Sequence, residues 1–367
     1  MFDDIRPYRD DEVVAIIRKL VKAKELQSSV AIYTMPWLYR TLPVVARFLV
    51  KVSLWLKVHK LDSVDAVQKE MAKYLFRLIR KSTHGFTHSG LDKLDLSKPT
   101  LFISNHRDIV LDPALVNYAL FEVRGKTVEI AIGDNLLAKE WISDLMRLNK
   151  SFIVKRGEKN KRAMLAASKT LSAYIHHALT DNKQPIWIAQ KEGRAKDGVD
   201  KTNPALVSML LLNKPKEQSI ADYLDELNIV PVSIAYQYDP CDQDKAKELA
   251  TIEATGSYQK SEHEDIRSIT RGLVGNKGKI HLAFGTPIQG EFSDSKAIAA
   301  AIDAQIIANY KIFDSNQAAF DCLRNPQIKI NDSCPIQPRL ANLDEAQQRW
   351  LLTMYANPVA AKKGLAL

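Results

Sequence analysis

From about residue 98 onward, short apolar runs alternate with stretches of helical spacing, and this alternation limits the folds open to the chain. The runs are PTLFISN, TVEIAIG, SFIVKRG, PIWIAQ, NIVPVSIAY and KIHLAFG. Strands that alternate with helices predict an α/β fold with a mostly parallel central sheet flanked by helices. Pro231 lies inside the fifth run and lacks an N–H group, so we expect that strand to lie at an edge or to contain a bulge.

The organisation along the chain suggests three parts. Residues 1–95 have helical apolar spacing and form a predicted N-terminal helical region, which is a candidate for contact with a membrane interface. Residues 96–330 contain the alternating runs and form the predicted α/β domain. Residues 331–367 read as a loop followed by a final helix.

One segment of the N-terminal region combines aromatic residues with purely positive charge. No acidic residue falls between Ile32 and Leu61. Arg40, Arg47 and Lys51 are spaced by seven and four residues, which predicts that they share one face of a helix. A basic face backed by Leu, Val and Trp suits a helix that lies in a bilayer interface. The alternative is a globular helix that packs on its own core with its basic residues in solvent.

Composition narrows the choice of partner and compartment. The formal net charge of +9 favours an anionic partner, such as a membrane lipid, a phosphorylated substrate or nucleic acid. Three sparse cysteines, with no C-x-x-C pair and no zinc spacing, predict free thiols facing the cytosol and no metal site. The N-terminus is too charged for a signal peptide, and no uninterrupted apolar run reaches the roughly 18 residues of a membrane span.

The segment SNHRDIVLDP follows the first apolar run and carries the most chemical information. Ligands of parallel sheets sit beyond the carboxyl ends of the strands, so polar residues at a strand exit are candidates for a site. His106 is followed by two carboxylates, Asp108 and Asp112. A carboxylate that holds an imidazole fixes its tautomer and stabilises the imidazolium, which allows the histidine to take a proton from a hydroxyl.

Three further segments follow apolar runs in the same way. Lys155 and Arg156 end the SFIVKR run, where cations could hold a phosphate, although a solvated basic turn would look the same. Glu192, Gly193 and Arg194 follow the PIWIA run, and the glycine permits a tight turn. The fourth segment is the proline-containing run NIVPVSIAY.

The order of these four segments resembles the glycerophosphate and lysophospholipid acyltransferase family, over roughly residues 99–288. The resemblance implies that His106 is the general base and that Arg156 and Arg194, supported by Lys155, hold the acceptor's phosphate. It implies that Glu192 and Gly193 shape the acceptor pocket. The expected reaction moves a fatty acyl group from an acyl thioester, either acyl-CoA or an acyl carrier protein, to the hydroxyl of 1-acylglycerol-3-phosphate (lysophosphatidate), with no cofactor.

The sequence departs from the family pattern in two places. Five residues separate His106 from Asp112, one more than the family has, so either a bulge brings Asp112 to the histidine or Asp108 is the partner. We favour Asp112. The third segment reads QKEGR and lacks the family's Phe-Pro and Thr.

Alternatives to this function remain open at the level of sequence. They are transfer to glycerol-3-phosphate itself, and a non-catalytic basic protein that binds membranes. A hydrolase is disfavoured because the chain has no G-x-S-x-G elbow, and nucleic-acid binding because it has no aromatic RNA-binding motif. A lipid acceptor predicts a peripheral or monotopic protein at the cytoplasmic face of a membrane.

Overall fold

The structure is a computed structural model that describes residues 2–137, 139–158, 160–261, 264–325 and 334–367. Its strands are β1 (Gly85–Ser89), β2 (Leu101–Ser104), β3 (Glu129–Gly133), β4 (Ser151–Val154), β5 (Ile186–Ala189), β6 (Ile229–Tyr236) and β7 (Lys279–Phe284). Its helices are α1 (Asp10–Lys22), α2 (Lys24–Thr34), α3 (Pro36–Thr41), α4 (Pro43–Val58), α5 (Val64–Ser82), α6 (Leu111–Arg124), α7 (Glu140–Leu148), α8 (Lys161–Thr180), α9 (Pro204–Leu210), α10 (Ile220–Leu227), α11 (Asp242–Thr255), α12 (Glu264–Val274), α13 (Ser295–Asn309), α14 (Asp314–Arg324), α15 (Gln337–Leu340) and α16 (Glu345–Lys363).

The chain divides into two compact units. Unit 1 comprises residues 1–74 and 128–174, and unit 2 comprises residues 75–127 and 175–367. In unit 1, β3 and β4 pair in parallel. A cluster of buried aliphatic side chains joins α1, the start of α5 and α7, and its members are Val13, Ile17, Leu20, Val21, Val64, Val67 and Leu148.

Unit 2 is built on strands in the order β1-β7-β6-β2-β5. The pairs β1–β7, β2–β6 and β2–β5 are parallel, and only β6–β7 among these neighbours is antiparallel. Strand β2 therefore pairs with a neighbour on each side, and all four of its residues are buried. This arrangement confirms the predicted α/β class with a mostly parallel sheet and an N-terminal helical region. Strand β1, which falls in the segment expected to be helical, was not predicted.

The expected edge position of Pro231 is wrong. β6 is paired on both sides, with Pro231 opposite Ile103 of β2. The antiparallel ladder to β7 begins only at Val232, and the Pro231 carbonyl accepts a hydrogen bond from Gly285 N at 2.8 Å. The proline thus lies where the β7 ladder ends, so its missing N–H group is tolerated in a central strand.

The basic segment of unit 1 is broken into two helices, so the prediction of a single basic helical face is wrong. α3 ends before Leu42, whose φ of −134° is not helical, and Pro43 is the first residue of α4. Proline disfavours helical backbone in the residue before it, which explains the break. Arg40 therefore lies on α3, whereas Arg47 and Lys51 lie on α4.

Helices α2, α3 and α4 share a very small core. Ala31, Ala46 and Val50 are the fully buried members of their hydrophobic cluster. Large apolar side chains of these helices instead face solvent, and Trp37 is 75% exposed. The others are Ile32, Tyr33, Leu42, Val44, Val45, Phe48, Leu49, Val52, Trp55 and Leu56. No described helix is long and apolar enough to cross a membrane.

Candidate active site

The loop that leaves β2 is anchored to the neighbouring strand β6 by Asn105. Its side-chain amide donates to the Ile234 carbonyl at 3.0 Å, and its amide oxygen accepts from Ile234 N at 2.7 Å. Asn105 is fully buried, so these paired bonds satisfy its polar atoms inside the sheet layer. The backbone of His106 is thereby fixed at the carboxyl end of β2.

His106 is paired with Asp112. The His106 Nδ1 atom lies 2.8 Å from Asp112 Oδ2. Asp112 is in the first turn of α6, where the helix N-terminus favours a negative charge, and its side chain is completely buried. Between the two candidate carboxylates, the structure brings Asp112 against the imidazole.

The extra residue between His106 and Asp112 is accommodated by a loop that wraps around the carboxylate. The backbone N–H groups of Arg107 and Asp108 both donate to Asp112 Oδ2, at 2.5 and 2.9 Å. With His106, three donors converge on that one oxygen. These hydrogen bonds fix the position of the carboxylate beside the imidazole.

Tyr236 completes the surroundings of Asp112 and was missed by the sequence reasoning. Its hydroxyl donates to Asp112 Oδ1 at 2.7 Å. Burial, together with the Asp112 and Asp108 charges, raises the pKa of Tyr236 well above its ordinary value, so the hydroxyl keeps its proton. A usable signal existed, because Tyr236 is the polar residue that ends the fifth apolar run.

Asp108 has a different role in this geometry. Its Oδ1 atom accepts from Val110 N at 3.0 Å and from Leu111 N at 2.8 Å, at the start of α6. Burial and the Asp112 charge raise the pKa of Asp108. A Cβ atom at Gly272 would lie 2.1 Å from Asp108 Oδ2, so a glycine is needed there. Asp108 thus accepts hydrogen bonds from N–H groups at the start of a helix, which have no partner within the helix.

The second imidazole nitrogen is available for chemistry. Among the described residues, none forms a hydrogen bond with His106 Nε2. The side chain is 14% exposed, and the Trp187 ring meets the imidazole edge to face with centroids 5.8 Å apart. Trp187 is itself held by a bond from its Nε1 atom to Ser104 Oγ at 3.0 Å. An oriented imidazole with a free Nε2 can accept a proton from a hydroxyl.

The Glu192-Gly193-Arg194 segment lies in the same unit and follows β5. Gly193 has a φ of +73°, in the left-handed region that favours glycine, so the chain turns sharply here. Arg194 donates through Nη1 to Ser268 Oγ at 2.7 Å, and Glu192 is exposed. Ala195 N donates to the His106 carbonyl at 2.8 Å, which ties this segment to the backbone of the candidate base.

Lys155 and Arg156 lie in unit 1, directly after β4. Lys155 Nζ forms an ion pair with Asp4 Oδ2 at 2.5 Å, and its hydrogen bond lowers the pKa of Asp4. The backbone N–H of Arg156 donates to both Asp134 carboxylate oxygens at 3.2 Å. The Arg156 guanidinium packs against the backbone of Gly133, where a Cβ atom would lie 2.9 Å from Arg156 Cζ.

Metal binding was not expected, and no group of three or more His, Cys, Asp or Glu residues within the described part of the chain could hold a metal ion. The three cysteines are free, and Cys241 is buried.

A family comparison covers this part of the chain. A family model described as "Acyltransferase" matches residues 85–234, the part of the chain that contains His106, Asp112 and Arg194. Residues 85–234 belong to the acyltransferase family. This match supports the predicted family and the expectation that the chain is an O-acyltransferase enzyme.

No curated protein matches the sequence of this chain. Among solved structures, the chain is similar to the 1-acyl-sn-glycerophosphate (LPA) acyltransferase PlsC from Thermotoga maritima. The two share 12% sequence identity with a TM-score of 0.39, over 77% of this chain and 95% of that chain.

Proposed function

We propose that the chain transfers a fatty acyl group from an acyl thioester to the free hydroxyl of 1-acylglycerol-3-phosphate. The observation that carries the proposal is the His106–Asp112 pair, 2.8 Å apart, with Nε2 unpartnered among the described residues at the carboxyl end of β2. This arrangement suits a general base, and the family match supplies the class of reaction. The donor is acyl-CoA or an acyl carrier protein.

In the proposed mechanism His106 Nε2 removes the proton from the acceptor hydroxyl as its oxygen attacks the thioester carbonyl. The buried Asp112 stabilises the imidazolium that forms, because opposite charges attract strongly where water is excluded. When the tetrahedral intermediate collapses, the C–O bond is kept and the C–S bond breaks. The imidazolium then returns its proton to the departing thiolate, so the histidine is regenerated without a covalent enzyme intermediate.

Arg194 is the proposed contact for the acceptor's phosphate within unit 2. It is partly exposed, and within the described residues its side chain hydrogen-bonds to Ser268 through Nη1 alone, so the rest of its guanidinium can face an anion. The family resemblance adds Arg156, with support from Lys155, and gives Glu192 and Gly193 a role in shaping the acceptor pocket. A phosphate contact predicts that these arginines act on the acceptor and leave the donor unaffected.

A membrane surface is the proposed location, because the acceptor is a lipid. The exposed apolar side chains of α2, α3 and α4 leave a face that water solvates poorly. Trp37 and Trp55 are 75% and 53% exposed, and tryptophan is enriched at headgroup depth. Arg40 and Lys51 are exposed on the same helices and can meet anionic headgroups. We propose peripheral or monotopic attachment at the cytoplasmic face.

Product analysis tests the function. Purified protein would be incubated with acyl-CoA or acyl carrier protein donors and a panel of acceptors that includes 1-acylglycerol-3-phosphate and glycerol-3-phosphate, and the products identified by mass. We expect phosphatidate, and we expect His106→Ala to lower the rate by about 10²- to 10⁴-fold. His84→Ala, which changes an exposed histidine in unit 2, is the control and should retain activity.

The outcomes separate the alternatives. A product only from glycerol-3-phosphate would move the acceptor assignment to that substrate. No product from any pair, together with retained vesicle binding, would favour the non-catalytic membrane-binding protein. A His106→Ala rate above about a tenth of wild type would contradict the role of His106 as the base.

A further inference from the structure

Arg107 follows the candidate base directly, yet its side chain is buried and holds a different part of unit 2. The residue is only 5% exposed. Nη1 donates to the Ala195 carbonyl at 3.0 Å, and Nη2 donates to the Gly198 carbonyl at 3.2 Å and to Asp200 Oδ2 at 2.7 Å. One guanidinium therefore holds three points of the loop 195–200, which continues from Arg194.

Ala195 is held on both sides by consecutive residues of the base loop. Its N–H donates to the His106 carbonyl at 2.8 Å, and its carbonyl accepts from the Arg107 guanidinium. Ala195 is covalently next to Arg194, the proposed phosphate contact. The position of Arg194 relative to His106 is thus constrained by the two hydrogen bonds of Ala195, one to the His106 carbonyl and one from the Arg107 side chain.

Asn105 extends the same contact. Its Nδ2 atom donates to Asp200 Oδ2 at 3.1 Å, so residues 105, 106 and 107 all bind the loop 195–200. An ordinary ion pair could be made by lysine, but only a planar guanidinium has fixed donors for two carbonyls and a carboxylate at once. Asp200 is also buried, so leaving its carboxylate without Arg107 would cost free energy. This cost favours the conformation in which the loop 195–200 is bound to Arg107.

The loop is supported from its other side by α16. Asn357 Nδ2 donates to the Asp197 carbonyl at 2.7 Å. Gly198 has a φ of +80°, and a Cβ atom there would lie 2.1 Å from the Met354 carbonyl oxygen, so the helix packs directly on the loop backbone. The loop is therefore enclosed between the base segment and the C-terminal helix.

We propose that Arg107 is a positioning residue that fixes the loop 195–200, and with it Arg194, at the distance from His106 that a phosphorylated acceptor requires. This inference rests on the proposed function for the role of Arg194. In the described part of the chain, the Arg107 side chain forms no hydrogen bond with Asp112, and the residue binds this carboxylate through its backbone N–H. The pH dependence set by the base should consequently be independent of the side chain.

Arg107→Lys tests the proposal, with Arg339→Lys as a matched control. Arg339 pairs with the buried Asp242 through Nε at 2.6 Å, and within the described residues its side-chain hydrogen bonds go to Asp242 and the Asp239 carbonyl, outside the loop 195–200. Both substitutions keep the charge and weaken one pair between an arginine and a buried aspartate. Loss of folded protein lowers the maximal rate and leaves both KM values unchanged, whereas a displaced Arg194 raises the acceptor's KM.

For Arg107→Lys we expect the KM for the phosphorylated acceptor to rise about 10- to 100-fold, the donor KM to stay unchanged, and the apparent pKa of kcat to stay unchanged. We expect neither KM to change in Arg339→Lys. Hydrogen exchange provides a readout without turnover, and peptides covering 195–200 should exchange at least about tenfold faster in Arg107→Lys only.

Unchanged exchange in 195–200 would overturn the proposal, whether or not the enzyme turns over. An acceptor KM within twofold of wild type, or an equal rise for donor and acceptor, would also overturn it. The proposed function fails by a separate result, which is full activity of His106→Ala. Faster exchange confined to Arg107→Lys would then still show that Arg107 fixes the loop, but the part of the proposal that concerns the acceptor would be lost.

Discussion

Two segments of this chain distribute polarity in opposite and unusual ways. Residues 36–58 present large apolar side chains to solvent, with Trp37 at 75% and Phe48 at 61% exposure. Residues 104–112 bury polar and charged groups in the middle of unit 2, namely Ser104, Asn105, Arg107, Asp108 and Asp112. Globular proteins usually do the reverse in both cases.

The two segments differ in whether the chain itself supplies the partners that their side chains need. Each buried polar residue of 104–112 has hydrogen-bond partners within the chain, and Asp112 alone receives four donors. The polar groups of residues 104–112 therefore find their hydrogen-bond partners within the folded chain, which suits a rigid catalytic geometry. The exposed apolar helices bury only Ala31, Ala46 and Val50 among themselves. Their free energy would be lowered by an apolar environment that the chain does not provide, which is why we propose a membrane there.

The largest expected effect separates the two buried carboxylates. Asp112→Asn should lower kcat by about 10²- to 10⁴-fold, because an amide cannot stabilise the imidazolium and cannot accept all the present donors. Asp108→Asn should retain most activity, since an asparagine oxygen can still accept from Val110 N and Leu111 N. Rates would be measured with saturating donor and acceptor, beside circular dichroism to check folding. Equal losses in the two variants would contradict the assignment of Asp112 as the partner.

The second largest expected effect is on membrane binding by the segment 36–58, whose apolar side chains are exposed. Changing Arg40, Arg47 and Lys51 together to glutamate should weaken binding to vesicles of anionic lipid by at least about 10²-fold at low salt, since each basic residue near the surface contributes about 1 kcal/mol. Turnover of a lipid acceptor should fall more than turnover of a soluble short-chain acceptor. Flotation of the protein with vesicles measures the binding.

A charge-matched variant controls that experiment. Lys161, Arg162 and Lys169 are exposed on α8, and changing them to glutamate alters the net charge equally. If both triple variants lose binding to the same extent, the attraction is a general effect of net charge and the segment 36–58 has no special role. Unchanged flotation of the first variant would mean that its basic residues face only solvent.

The sequence predicts the sheet and the histidine block well because both depend on local signals. Each of the six apolar runs contains an observed strand, and the polar residues that follow β2 lie where a parallel sheet exposes its ligand-binding edge. The preference for Asp112 over Asp108 agrees with the 2.8 Å contact, because a loop one residue longer can wrap its N–H groups around the carboxylate. Whether these residues act in catalysis remains a prediction.

The missed features depend on distant residues. Tyr236 reaches Asp112 across 124 positions, and Arg107 reaches Asp200 across 93. No local pattern identifies such partners before the strand order is known. Pro231 was misjudged because a central strand can still place a proline where one ladder ends. The spacing of seven and four residues predicts one shared basic face only if the helix is continuous. Pro43 interrupts the helix, and a proline at this position itself predicts the break.

A third, intermediate effect tests the cations that the family resemblance assigns to phosphate. Arg194→Ala and Arg156→Ala should each raise the KM of a phosphorylated acceptor by about 10- to 100-fold, since a charge-assisted hydrogen bond contributes about 1.5–3 kcal/mol. The donor KM should be unchanged. Lys247→Ala, which changes an exposed lysine on α11 in the same unit, is the control for Arg194. Equal effects on donor and acceptor would argue for a structural or donor-binding role.

The smallest expected effect is on stability and concerns the cost of burying Asp108. Burial and the Asp112 charge raise the pKa of Asp108 in the folded protein above its value in the unfolded chain. The folded state then holds this proton more tightly, so the stability that Asp108 contributes is present below the unfolded pKa of about 3.9 and is lost as pH rises through the folded pKa. Each pKa unit between the two states corresponds to about 1.4 kcal/mol.

Asp108→Asn removes that titration and keeps the oxygen that accepts from the start of α6. The free energy of unfolding of wild type minus that of Asp108→Asn, measured by urea denaturation from pH 4.5 to pH 8, should therefore fall as pH rises and then level off. Asp92→Asn, which changes an exposed carboxylate of unit 2, should give a difference that does not vary with pH in this way. A difference for Asp108→Asn that rises with pH would mean that the folded protein favours the charged carboxylate, and buried charge in the segment 104–112 would then be stabilising at this position.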